Sequence, residues 1–253
     1  MSQHIISADE ILQATYEGAV PLLDAHRRAW VLGIGRCVDL ESNPDSPGLD
    51  VENLIVEAFE TGDYPAGPFS FTPSAIGVER NSLYQVARAE FPLPCDRSLR
   101  CRVAVAEPSV LIEGISRGGC VFENETHSSH VLLTDVESVL MDTLTLLETA
   151  AEQVGYSGPR RLMIALACDI PGEALELRVY DEGDGNVLRP PAGYRDFAPV
   201  FVEYPGPLSP EETEQVLWQA ALEIALRFGV FNPQMVGRPH RSDSCSCWAL
   251  ISA

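Results

Sequence analysis

The residues of this chain with the most chemical capacity lie near its C-terminus, in Gly237-Arg-Pro-His-Arg-Ser-Asp-Ser-Cys-Ser-Cys-Trp248. A Cys-Ser-Cys tripeptide can hold a transition metal through two thiolates and the backbone amide nitrogens between them. Cys245 and Cys247, with His240 five residues earlier, are therefore the candidate metal ligands. The same thiols could act in redox chemistry. Arg241 favours their thiolate form, and the strained ring of a Cys245–Cys247 disulfide makes pairing between chains the expected oxidised state. The plainer reading is a C-terminal tail whose Trp248, Leu250 and Ile251 dock on the body.

Three other groupings carry donor atoms or glycines at suggestive spacing. Cys120 with His127-Ser-Ser-His130 has zinc-ligand types, but no Cys-x-x-Cys pair accompanies them, and His130 stands before a helix start where polar residues are routine. Gly33-Ile-Gly-Arg-Cys37 would need its third loop glycine at Val38, and no helix follows, so it reads as strand. Asp181-Glu-Gly-Asp-Gly-Asn186 fails the calcium-loop spacing because its third and fifth positions are glycine, and reads as a hairpin turn. No H-E-x-x-H is present.

Composition removes further chemistry. All 17 basic residues are arginine, so no lysine reaches a nucleotide phosphate or forms a Schiff base. Against them stand 37 carboxylates, a net charge of −20. That field repels a phosphate backbone, so no direct nucleic-acid binding is expected, and a basic protein is the expected partner. The charge falls in blocks: −9 over 1–94, −1 over 95–130, −11 over 131–229 and +1 from 230 onward. Seven dispersed cysteines, an odd number, suit a reducing compartment better than a disulfide framework. MSQHIISADE lacks a basic start and apolar core, and no apolar run is long enough to span a bilayer. A cytoplasmic protein with no membrane partner is expected. Arginine without lysine, amid much Ala, Gly and Pro, looks like coding drift in a GC-rich bacterium.

The elements that must position these residues announce themselves by their caps. Ser7-Ala-Asp-Glu10, Thr134-Asp-Val-Glu137 and Ser209-Pro-Glu-Glu212 each read as a capping box opening an amphipathic helix. Gly155 and Gly229 stand where the second and third should stop. A shorter helix is expected over 51–61. Strands are expected at Trp30–Cys37, Leu83–Phe91, Arg100–Ala106, Val110–Ile115, Gly119–Glu123, Leu162–Cys168, Leu175–Tyr180 and Ala198–Tyr204. In the third of these, Arg100, Arg102 and Ala104 alternate against Cys101, Val103 and Val105. These patterns predict an α+β fold: an antiparallel sheet with helices packed on one face, plus a smaller N-terminal α/β segment. The expected division is 1–95, 96–232 and a mobile tail at 233–253.

Two resemblances follow from these residues. Cys245-Ser246-Cys247 resembles the metal-claw tripeptide of nitrile hydratases, although the family's further cysteine would fall at Ser242. Over 130–232, a long helix ends in Gly155-Tyr-Ser-Gly158 before a strand, and a late helix ends in Gly229-Val230. That stretch resembles the region after the ATP-binding domain in actinobacterial Schlafen/AlbA-type proteins. The nucleotide-binding half of that family has no counterpart in 1–95, so the resemblance implies a bacterial accessory or regulatory module without ATP binding. The leading functional reading is a non-enzymatic regulatory protein acting through acidic surfaces, with no resident cofactor. The alternatives are a metal- or redox-active protein using the Cys-Ser-Cys tripeptide, and an acidic decoy imitating DNA.

Overall fold

The computed structural model describes residues 8–23, 25–37, 53, 75–80, 84–93, 97–106, 109–118, 128–181, 186–188, 193–194 and 197–236, with 75–118 and 180–194 described by their backbone. Apart from Asn53, the expected helix over 51–61 lies outside these residues, as do the strand Gly119–Glu123 and the tail from 237 onward. A seven-stranded sheet organises the chain. Its strands are β1 (Trp30–Cys37), β2 (Ala75–Arg80), β3 (Tyr84–Leu93), β4 (Arg97–Ala106), β5 (Ser109–Gly118), β7 (Arg160–Ala167) and β11 (Val200–Tyr204). They run in the order β11-β7-β1-β5-β4-β3-β2, every neighbour antiparallel. A smaller sheet joins β6 (His130–Leu132), β8 (Leu175–Asp181) and β10 (Gly193–Tyr194), and β9 (Asn186–Leu188) pairs with β8. Asp181 pairs with Asn186 across β8 and β9, and the expected hairpin turn between them lies outside the described residues.

Period-two alternation sorts the sheet's side chains onto two faces. Val31, Leu162, Ile164, Leu166, Val200 and Val202 form one wall of the main core. Helices α2 (Leu133–Gln153) and α3 (Pro210–Arg227) close it, with Leu144, Leu147, Val216, Leu217 and Ile224 buried against the wall. This is the α+β arrangement that the helical stripes require. The opposite face is covered by α1 (Ala8–Ala19), whose Leu12 packs with Ile34, Met163 and Ala165. Helices thus lie on both faces of the sheet, because β1 alternates apolar residues to both sides: Trp30, Leu32 and Ile34 point toward α1. β1 is hydrogen-bonded to β7 on one flank and β5 on the other, and the expected division at 95 falls between the paired strands β3 and β4. The two sides of that division share one sheet.

The helix ends follow local chemistry, with one departure. Ser209 accepts from the Glu212 amide while Glu212 accepts from the Ser209 amide, so the capping box of α3 forms with Pro210 in the first turn. Those contacts hold the Glu212 carboxyl below its ordinary range. Gly155 and Gly229 take left-handed φ values of 66° and 77°. Each helix then closes with paired bonds, Tyr156 N to Ala151 O with Gly155 N to Glu152 O, and Val230 N to Ala225 O with Gly229 N to Leu226 O. The departure is the start of α2. β6 runs directly into the helix at Leu133, capped by the Leu132 position without a side-chain bond. Thr134 therefore lies inside the helix, and Glu137 is freed from any capping duty.

The two glycines of Gly33-Ile-Gly35 sit inside β1, under α2. A Cβ on Gly33 would lie 1.9 Å from Thr143 Oγ1, and one on Gly35 would lie 3.1 Å from Leu147 Cδ2. The motif is a seat for a helix.

Candidate functional site

At one end of the sheet the register places Cys37, Arg160 and Tyr204 side by side on three adjacent strands. All three are buried, and Glu148 of α2 comes down onto them. Arg160 Nε lies 3.1 Å from Glu148 Oε1, an ion pair rather than an aligned hydrogen bond. Its other nitrogens donate to Gly158 O at 2.5 Å and Tyr156 O at 3.0 Å, and the guanidinium sits over the Tyr156 ring. The Tyr204 hydroxyl adjoins the Glu148 carboxylate, off the line of a good hydrogen bond. Arg160 thereby ties the turn after α2 to the sheet.

This cluster contains a thiol, a phenol, a carboxylate and a guanidinium, the raw material of nucleophilic or acid–base chemistry. Burial makes its thiol and its phenol harder to ionise. Burial pushes the Cys37 thiol up to about 12, against a smaller opposing pull from Arg160. Burial also raises Tyr204 well above the ordinary phenol value, and the nearby Glu148 carboxylate raises it further. A neutral buried thiol is a poor nucleophile. The arrangement is a brace. Cys168 lies one residue past β7 and is half-buried, although burial raises its pKa too. Thiol labelling of the native protein is therefore expected to modify Cys168 well before Cys37. Equal rates, read by peptide mass spectrometry, would mean that the braced end of the sheet opens readily.

A second buried carboxylate is put to use across the fold. Glu137 is fully buried in α2, yet Gln234 N, Met235 N and Val236 N all donate to it, at 2.7, 2.5 and 2.9 Å. Three consecutive amides converging on one carboxylate fix the path of the chain just before residue 237. Burial raises the Glu137 pKa, with the three amides pulling the other way. Glu148 is likewise raised by burial, with Arg160 opposing.

A carboxyl whose folded pKa exceeds its unfolded value binds more protons when folded. Its contribution to stability is complete below the ordinary value of 4.5 and is lost as pH rises through the raised value. Urea midpoints at constant ionic strength are thus expected to rise as pH is lowered from neutrality toward that value. Glu148→Gln should flatten the slope. A midpoint that climbs with pH over this window would contradict both shifts.

Of the sequence-derived candidates, Cys245, Cys247 and His240 lie outside the described residues, as do Cys120 and His127. His130 is described: it is 4% exposed, and its Nδ1 lies 2.9 Å from the Ser128 hydroxyl. That contact occupies one ring nitrogen locally. Among the described residues no group of three or more His, Cys, Asp or Glu side chains could hold a metal. The two buried clusters went unread in the sequence because their members are far apart in it, and Glu137 carried a competing local reading as a cap. The one available signal was the run of two arginines, Arg160-Arg161, entering an apolar strand, since buried arginine requires a partner.

On the surface, Glu10, Glu17, Glu152, Asp169, Glu211 and Glu214 are exposed. Leu226 and Phe231 are the large apolar side chains exposed among the described residues, at 47% and 76%. No helix among the described residues is long and apolar enough to cross a membrane. No family model, no curated protein and no solved structure matches the chain.

Proposed function

We propose that this protein is a non-enzymatic accessory or regulatory module that binds a basic partner protein through its acidic surfaces. The observation that carries the reading is the distribution of carboxylates. Glu137 and Glu148 are committed inward, while Glu10, Glu17, Glu211 and Glu214 are exposed on α1 and α3 in a chain of net charge −20. A field of that sign accelerates encounter with a cationic partner and rejects anionic ones. Exposed Phe231, after the end of α3, supplies the kind of apolar anchor that holds such encounters together. The resemblance of 130–232 to a region of Schlafen/AlbA-type proteins supports the same class. Its setting is a bacterial cytoplasm.

The test is affinity capture from the native host at low salt and again at ~1 M salt, where the screening length is only ~3 Å. The expected result is a partner of basic isoelectric point, retained at low salt and released at high salt. Its binding should weaken at least tenfold with Glu211→Arg/Glu214→Arg or with Phe231→Ser. A partner insensitive to salt and to all three changes would sink the proposal. Near-stoichiometric metal in the purified protein, abolished by Cys245→Ser, would replace it with the metal-centred reading of the C-terminal tripeptide.

A further inference from the structure

Helix α3 carries a second apolar surface besides the one that closes the core. Val216, Leu217, Ala220, Ala221 and Ile224 face inward and are buried. Beside them, Glu214, Trp218, Leu222 and Leu226 stand four residues apart. Each such step turns a helix by about 40°, so the four make one continuous ridge that winds away from the core. Glu214 and Leu226 are exposed, and Trp218 and Leu222 are half-buried. Trp218 leans partly on the main core, whereas Leu222 belongs neither to a buried cluster nor to the side chains packed on one. The exposed Phe231 follows just beyond the turn that Gly229 makes. The outer side of an ordinary surface helix is polar, and a row of large apolar side chains there marks a contact surface.

The charges of α3 say what fits there. Glu212 is bound up in the capping box and Glu223 is paired with Arg227. Glu211 and Glu214 are exposed and meet no cation among the described residues. Arg227 is the one basic residue of α3, and its guanidinium already reaches Glu223 and Ala198 O. A second copy of this chain would therefore bring another charge of −20 and no uncommitted cation on that helix. The partner must supply its own. An extended segment would find no free backbone groups along the middle of a helix, since those bond within it, whereas a ridge of this kind fits between the ridges of another helix.

We propose that the Glu214–Leu226 ridge of α3 is the docking surface for a cationic amphipathic helix of another protein. Its apolar face seats on Trp218, Leu222 and Leu226, and its lysines or arginines meet Glu211 and Glu214. The ridge is about 18 Å long, so roughly three turns of the partner helix cover it. The proposal rests on the basic-partner reading above and adds to it the surface and the form of the partner.

The probe is a labelled synthetic peptide as long as α3, 18 residues, with leucines along one helical face and lysines on its flanks. A shuffled peptide of the same composition keeps the charge and loses the apolar face. Each is titrated onto the full chain at low salt, with peptide anisotropy giving the affinity and backbone amide NMR shifts giving the surface. The amphipathic peptide is expected to bind at least tenfold more tightly than the shuffled one, and to move the amides of Trp218, Leu222 and Leu226 more than those of α1. Leu222→Ser/Leu226→Ser should weaken it at least tenfold while leaving the shuffled peptide unaffected. Glu211→Gln/Glu214→Gln should weaken it as well, and Glu17→Gln on α1 should not. If the double serine variant fails to fold, Leu226→Ser at its exposed position carries the same test. Equal affinity for the two peptides, both released by salt, overturns helix docking and leaves the acidic-surface reading standing. Binding of neither peptide, shifts confined to α1, or affinity undiminished in Leu226→Ser also overturns it, whereas the acidic-surface reading itself falls only with the capture from the host.

Discussion

Glu137→Ala is expected to cost the protein on the order of 3–5 kcal/mol, as for removal of one partner from a buried charged contact. Glu137 is fully buried and accepts from three successive amides. Alanine leaves the Gln234, Met235 and Val236 amides without that acceptor and opens a void beneath Val236, which is itself part of the core. Glu137→Gln should lose less, because the carboxamide keeps one acceptor oxygen while presenting an NH2 group to the remaining amides. Urea denaturation gives the energies. Amide exchange gives the mechanism, since protection at 234–236 should fall in the alanine variant far more than protection within α3. A loss under ~1 kcal/mol with unchanged exchange would mean that the segment is held by its own packing, through Val236 and through Met235, whose sulfur lies near Ser138.

The Glu137 contact also marks where sequence reasoning stops. Thr134-Asp-Val-Glu137 has the letters of a capping box, and the helix begins two residues earlier than that box would start it. The start, however, is set by β6 running into Leu133, and the glutamate instead holds a segment 97 to 99 residues away. Local signals were legible where the physics is local. Trp30–Cys37 was readable as a buried strand from its apolar run, Ser209-Pro-Glu-Glu212 forms its box, and Gly155 and Gly229 end their helices in left-handed turns. What depends on register was not legible. Nothing in the sequence says that Cys37, Arg160 and Tyr204 form one row, or that Arg88 faces Arg102. The alternation around Arg100 and Arg102 gave a face but not its neighbours.

The same limit applies to the domain reading. The expected division at 95 falls between β3 and β4, which are paired neighbours in the continuous sheet. β1 enters the middle of strands that come much later in the chain, so its burial depends on contacts at 160–167. Capping and periodicity cannot report such an insertion. They describe each element alone, whereas the pairing of β1 is a property of the assembled sheet.

Gly33→Ala is expected to be at least as damaging as most core truncations, with a loss of ~3 kcal/mol, the upper end of ordinary overpacking. The introduced methyl would lie 1.9 Å from Thr143 Oγ1, 3.0 Å from Thr143 Cβ and 3.0 Å from a Val139 methyl. Thr143 cannot simply turn aside at no cost, because its hydroxyl donates to Val139 O at 2.6 Å within the buried helix. Either that bond breaks or the 21-residue helix α2 lifts off β1 and loosens the core it closes. Gly35→Ala should cost much less. Its methyl meets the far end of Leu147 at 3.1 Å, and a leucine terminus can move by tenths of an ångström. The decisive measurement is a double-mutant cycle with Thr143→Ala. Removing the hydroxyl abolishes the closest contact and leaves only the two at 3.0 Å. The pair should therefore be less destabilised than the sum of its single variants by at least ~1 kcal/mol. Simple additivity, or a Gly33→Ala variant as stable as the parent, would show that α2 does not rest on the backbone of β1 as described.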